Sequence, residues 1–255
     1  MSFERSRFTE VLNPELHAKL ERIKESAIQN ISRLITKYAP GQAYDWASLS
    51  NIQLFLTQET ALGGSAEYIW PGDFIRIRIN DAEKMNEVEM LDMVTHELWH
   101  CASGTKYHFT VNSANKSRIL GSVGLSKTTS EYPEEDMEGE PVVTEEILLG
   151  LDEGMTDFLT HICMKQDDEK HTPTYESQAS VINCLILGVS NKLNKNYEEV
   201  FKIILSSYLN KNLFFLKMVK TAFGEEGIQK LKNVRVSVDE ESIKQNNEIS
   251  NFFSS

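Results

Sequence analysis

No stretch of this 255-residue chain stays apolar for anything approaching the roughly 20 residues that a bilayer-spanning helix needs, so no integral membrane segment is expected. The N-terminal residues MSFERSRFTEVLNPEL carry charge throughout and lack the apolar core of a secretory signal. They point to the cytoplasm, although a signal-independent export route would leave no such trace. Cysteine is scarce: Cys101, Cys163 and Cys184 cannot all pair with one another, and each lies among apolar residues at helix-like spacing. They read as reduced, buried small hydrophobes and not as a disulfide framework. Positive charge is also in deficit, with 26 Lys and Arg against 38 Asp and Glu and a net charge of −12. Such a surface repels phosphate backbones and anionic membranes, and no concentrated basic patch offsets it, so nucleic acid is not an expected partner. No internal repeat is visible.

What the chain does contain is ordinary for a globular fold: 40% hydrophobic and 25% charged residues, enough for one substantial domain or two lobes sharing a core. Asn13 can cap a helix, Pro14 suits its first position, and Leu16, Leu20, Ile23, Ala27, Ile31 and Leu34 recur at spacings of three and four. That helix should end before Pro40–Gly41. Three strand-like runs follow at 51–57, 66–70 and 74–80, and Pro71–Gly72–Asp73 would fold the last two into a hairpin. In the third, FIRIRIN, apolar and polar residues alternate as in a strand with one buried face. Asn80 and Asp81 supply a capping signal for a helix of about 20 residues that Gly104 would close. A hairpin-like or irregular stretch runs to about Gly124. The segment SEYPEEDMEGE (130–140) then crowds six carboxylates into eleven residues and reads as a solvated loop. Helices are predicted at 144–165, 176–190, 196–209, 212–223 and 225–232. The expected class is α+β within a single domain, 1–255: an N-terminal α+β lobe over about 1–104 and a mainly helical lobe over about 144–255.

The chemistry is concentrated in His96-Glu97-Leu98-Trp99-His100, which spells H-E-x-x-H. On a helix, residues i and i+4 lie one turn apart on the same face, so two imidazoles can converge on a single ion while the intervening Glu reaches water beside it. Zn²⁺ suits imidazole and carboxylate ligands. Leu91, Val94, Leu98 and Cys101 fall on the opposite face, so the helix can bury one side and present its ligands on the other. Catalytic zinc takes three protein ligands and keeps a fourth position for water, so two histidines make an incomplete site. About fifty residues on, in LGLDEGMTDFLTHI, Glu153 and Asp157 form another i, i+4 pair, with Met155, Phe158, Leu159 and Ile162 pointing away. The carboxylates are expected on the exposed side of this second amphipathic helix.

At this point the chain resembles the gluzincin branch of the zinc metallopeptidases, in which H-E-x-x-H is followed on a later helix by E-x-x-x-D. The resemblance covers about residues 66–165, and Asp-Glu-Gly-Met-Thr-Asp also looks like the E-G-x-T segment of many bacterial members. It implies a zincin-like fold, Zn²⁺ as cofactor, and Glu153 as third ligand beside His96 and His100. It further implies Glu97 as general base, and Asp157 as the hydrogen-bond partner that fixes the tautomer of a ligating imidazole, most naturally His96. The implied activity is that of a metallopeptidase, a hydrolase acting on a peptide or protein substrate. Metzincins instead need Gly three and His six residues after the second motif histidine, where this chain has Ser103 and Lys106. His108 lies too far along and is a fallback ligand only. Gluzincins commonly present a Tyr or His to the oxyanion from the lobe after the third ligand. Tyr175, which begins the following helix, is assigned that role on position alone, with Tyr107, His161 and His171 as alternatives.

Three readings stand side by side. The first is an active zinc hydrolase. The second is a zincin-like zinc-binding protein with a regulatory or scaffolding role and no turnover, and the third is a helical interaction protein whose motif is accidental. Glu97 favours the first over the second, because a structural zinc site needs no general base and more often closes its fourth position with Cys or His. The acidic loop could cover a cleft or favour basic substrates, although charge runs are usually just solvated.

Overall fold

Asn13 opens the first element as its sequence position suggests: the side-chain oxygen accepts the Leu16 amide hydrogen at 3.1 Å, with Pro14 in the first turn. The computed structural model describes residues 11–40, 46–58, 64–69, 74–103, 105–111, 117–131, 142–165 and 175–255. They fall into two compact units, Met1–Ala102 with Leu159–His171, and Ser103–Phe158 with Thr172–Ser255.

In the first unit, helix α1 (Pro14–Tyr38) buries Leu20, Ala27 and Ile31 completely, the stripe that the three-and-four spacing marks out. After a short α2 (Trp46–Ser50) come β1 (Gln53–Thr57), β2 (Ala66–Ile69) and β3 (Phe74–Arg78), in the sheet order β1-β3-β2. Strand β3 pairs parallel with β1 and antiparallel with β2, placing Ile69 opposite Phe74 and Ala66 opposite Ile77 as the predicted hairpin requires. The one-faced burial expected of β3 does not hold. As the central strand it is covered on both sides, and Arg76 is buried beside the flanking isoleucines Ile75 and Ile77. Its charge is met by Glu67, the residue directly across on β2. Lys24 is also buried; its Nζ donates to the Ile52 carbonyl at 2.8 Å and pairs with Glu21, tying α1 to the start of β1.

Strand β3 runs into a single turn, α3 (Ile79–Ala82), and then into α4 (Glu87–Ser103). The expected start of the long helix at Asn80 and Asp81 is therefore corrected. These residues form α3, where Asp81 pairs with Arg78 at 3.0 Å, and the cap of α4 is Asn86. The Asn86 side chain accepts from the Val88 and Glu89 amides while Glu89 accepts the Asn86 amide hydrogen, a reciprocal capping box that outcompetes the earlier Asn-Asp signal.

The second unit contains an antiparallel sheet, β4 (Thr105–Val111), β5 (Ser117–Val123), β6 (Ser126–Glu131) and β7 (Val142–Ile147), in sequence order, with an irregularity at Thr129/Ser130. The hairpin-like reading of the region before Gly124 is extended here to a four-stranded sheet. The predicted helical start at 144 is wrong: VVTEEI pairs along β6, and its β-branched residues suit the ladder. Five helices follow, α5 (Leu149–Met164), α6 (Glu176–Leu193), α7 (Tyr197–Leu209), α8 (Phe215–Lys232) and α9 (Glu240–Ser254). The division between the units falls after Phe158 within α5. Gly224 interrupts α8 with φ 68° and ψ −162°, between the two helices read from the sequence. Most of the acidic segment, 132–140, lies outside the described residues, as does the Pro71–Gly72–Asp73 turn. The α+β class is borne out, and no helix among the described residues is long and apolar enough to cross a membrane.

Helix α9 has no counterpart among the predicted elements because its buried face includes Ser242, Asn246 and Ser250 alongside Ile249 and Phe253, which erases the apolar period. Polar contacts hold it alongside the buried Ile249 and Phe253. Asn246 accepts the Arg235 amide hydrogen at 2.9 Å and donates to Ser177 and to the Arg235 carbonyl, while Gln178 of α6 donates to the carbonyls of Arg235 and Val236. Where α6 meets α9, a Cβ added at Gly188 would lie 2.0 Å from the Phe253 carbonyl oxygen. Gly188→Ala is therefore expected to destabilise the protein by about 1–3 kcal/mol through overpacking, measured by chemical denaturation. A variant of wild-type stability would mean that α9 is not packed on α6 at this distance.

Candidate metal centre

Helix α4 carries the H-E-x-x-H residues on a heavily buried scaffold. Met90, Val94, Leu98, Trp99 and Ala102 are all buried, and Val94 and Leu98 are wholly so, as their opposition to the histidines predicts. Leu91 and Cys101 of the same predicted face are only partly buried, whereas Thr95 and Trp99 are completely covered, so burial spreads around more of the helix than an amphipathic reading assumes. A helix packed this way has little freedom to rotate, which fixes the direction in which His96 and His100 project.

The Nε2 atoms of His96 and His100 lie 3.2 Å apart, with the rings steeply inclined at 69°. Two nitrogens sharing a tetrahedral ion at about 2.0–2.1 Å would be separated by about 3.3 Å, so the imidazoles already stand at the spacing of two ligands to one metal. One ligand atom each from His96, His100 and Glu153 lie within 4.8 Å of one another. Two imidazoles and one carboxylate are donors used by Zn²⁺ and by other borderline divalent ions, so the donor set fits a metal without selecting zinc.

Glu97 is buried and directed elsewhere: its Oε2 accepts the backbone amide hydrogen of Tyr68 in β2 at 2.7 Å. Strand β2 lies at one edge of its sheet, and its backbone donor fixes the carboxylate that sits between the two histidines in sequence. Nothing in the sequence signals this partner, because it is a main-chain group and its identity depends on the register of β2 against β3.

Helix α5 is entered through Leu148, whose φ of 65° is unusual for a residue with a side chain; the buried leucine and the Asp152 amide bonded to its carbonyl hold it there. The segment Asp152-Glu153-Gly154-Met155-Thr156-Asp157 then has a physical reason at nearly every position. Asp152 accepts the Leu125 amide hydrogen at 2.6 Å, anchoring the β5–β6 turn. Gly154 lets α6 approach, since a Cβ there would sit 2.7 Å from the Gln178 carbonyl oxygen. Thr156 shares a hydrogen bond with Tyr208 at 2.8 Å. The expectation that both carboxylates face solvent is corrected for Asp157, which is 1% exposed and accepts the Tyr175 amide hydrogen at 2.8 Å. A buried carboxylate that accepts the backbone donor at the start of the next helix is a structural brace whatever else it orients.

Tyr175 precedes α6 as predicted, and its backbone takes part in that brace. His161 is partly buried on α5; His171 and the side chains of Tyr107 and His108 lie outside what is described. Cys163 is buried, and Cys101 and Cys184 are partly so. Residues missed by sequence reasoning are Tyr68, Asp152, Thr156 and Tyr208, which hold the neighbours of the candidate ligands through main-chain or long-range contacts.

The cluster generates a direct expectation. The purified protein should bind about one divalent transition-metal ion per chain, with Zn²⁺ as the probe; His96→Ala or His100→Ala should abolish binding, and Glu153→Ala should weaken it severely. Isothermal titration of each variant after chelator treatment would check this, and zinc binding unchanged by either histidine substitution would contradict it. Compared with models of protein families, with curated proteins and with solved structures, the chain matches none.

Proposed function

We propose that this chain is a zinc-dependent hydrolase of zincin-like fold that cleaves peptide bonds, with His96, His100 and Glu153 as metal ligands and Glu97 as general base. The observation that carries the reading is the division of labour within one helix. His96 and His100 belong to the group able to hold a metal, while Glu97, between them in sequence, is held by the Tyr68 amide and is not part of that group. The order of elements agrees with it: strand β3 precedes the motif helix, and the third donor comes from a later helix, α5.

A zinc ion held by these residues would supply Lewis acidity, of the kind that acidifies water and polarises a carbonyl. Glu97 takes the proton of the attacking water onto its carboxylate and delivers it to the leaving nitrogen. The Tyr68 amide restrains that carboxylate so that it is oriented before substrate arrives, and orientation of this kind lowers the entropy cost of proton transfer. Tyr175 is the assigned donor to the developing oxyanion, on its position after the third ligand. The pairing of Asp157 with a ligating imidazole belongs to the same proposal, and its burial places it where loss of the carboxylate would be felt.

Two substitutions separate these roles. Glu97→Gln preserves size and hydrogen bonding but cannot accept the proton, so it should retain about one zinc while peptide hydrolysis falls by at least about 10²–10⁴-fold. Unchanged turnover would place the chemistry elsewhere, and loss of zinc would make Glu97 a ligand. Asp157→Ala should lower zinc affinity or activity about 10–100-fold with secondary structure retained by circular dichroism. An Asp157→Ala protein equal to wild type in both would remove Asp157 from the site.

A further inference from the structure

Tyr208 of α7 is wholly buried, and the metal-site reading gives it no role. Its hydroxyl meets Thr156 Oγ1 at 2.8 Å and is also hydrogen-bonded to the side chain of Ser103. All three residues belong to the same compact unit, and Ser103 and Thr156 are themselves completely buried. Ser103 is the last residue of α4 and follows His100 by three positions; Thr156 lies on α5 and follows Glu153 by three. Residues three apart on a helix are neighbours on one face, so each anchor sits one turn beyond a candidate ligand on its ligand's own helix. We infer that Tyr208 is a positioning residue for the metal centre, its single hydroxyl holding the helix that carries His100 and the helix that carries Glu153 in register for one ion.

A phenylalanine would fill the same apolar volume, so what the tyrosine adds is the hydroxyl, which can donate once and accept twice. Burial, reinforced by the nearby Asp152 carboxylate, pushes the Tyr208 phenol well above its usual range, so it stays a neutral partner for both anchors. Asp152 also fixes the β5–β6 turn through the Leu125 amide, giving the phenol a rigid surround. A ligand set tolerates little displacement, and partners outside the coordination sphere typically govern metal affinity about 10–100-fold.

This inference rests on the proposed metal site and is tested by metal binding, without recourse to activity. Tyr208→Phe should lower Zn²⁺ affinity about 10–100-fold, measured by competition with a chromophoric chelator, and should alter the visible absorption of the Co²⁺-loaded protein. Phe253→Leu, a core substitution in α9, serves as the control for general destabilisation and should leave both readouts at wild-type values. Should Tyr208→Phe fail to fold, Ser103→Ala and Thr156→Val, each removing one of the two hydrogen bonds, should show the same loss. Wild-type affinity and spectrum in Tyr208→Phe, or in both single-anchor variants, would overturn the inference, as would equal losses in the Phe253→Leu control. If the wild-type protein bound neither Zn²⁺ nor Co²⁺, the metal reading itself would fail and this inference with it.

Discussion

Two imidazoles one helical turn apart can meet at one ion, and burial of the helix that carries them fixes where both point. A displacement of either ring by an ångström would exceed the tolerance of about 0.2 Å on metal–ligand distances. The burial of Val94, Leu98 and Trp99 supplies that constraint, and the capping box at Asn86 sets where the helix begins. The 3.2 Å approach of the two Nε2 atoms comes from the one-turn spacing of the two residues on that helix. From it follows the different position of Glu97, whose side chain leaves the helix in another direction and meets the edge strand β2.

The helix bearing Glu153 is held in a different manner. Apolar packing by Leu151, Met155 and Leu159 is joined by buried polar contacts at three nearby positions: Asp152 to the Leu125 amide, Thr156 to Tyr208, and Asp157 to the Tyr175 amide. Buried polar groups of this kind contribute modestly to stability when satisfied and cost heavily when broken, so they specify one arrangement more than they strengthen it. They account for Asp152, Thr156 and Asp157 in that segment.

Periodicity made α1 legible from Leu16 to Leu34, and the alternation in FIRIRIN together with the turn before it disclosed the β2–β3 pair. The H-E-x-x-H spacing identified the two histidines because a short-range helical geometry, one turn, suffices to bring them together. Asp157 and Arg76 were misjudged for a common reason: charge in sequence suggests exposure, whereas in the fold each is buried against a partner whose position depends on distant chain. The start of α4 was placed too early because two capping signals lie within seven residues and only the reciprocal bond from Glu89 distinguishes them. Helix α9 escaped because serine and asparagine occupy its buried face. Tyr68 and Tyr208 were invisible for a deeper reason: no spacing rule links either to the motif, and only the folded chain brings them to it.

X-ray absorption at the zinc edge, recorded on the purified zinc-loaded protein, would interrogate the ligand set itself. A single zinc environment with two imidazole nitrogens and at least one carboxylate oxygen, all at about 2.0–2.2 Å and without sulfur, is the expected result. Sulfur scattering at about 2.3 Å from a ligating cysteine, or a spectrum with no imidazole contribution, would contradict a centre built from His96, His100 and Glu153.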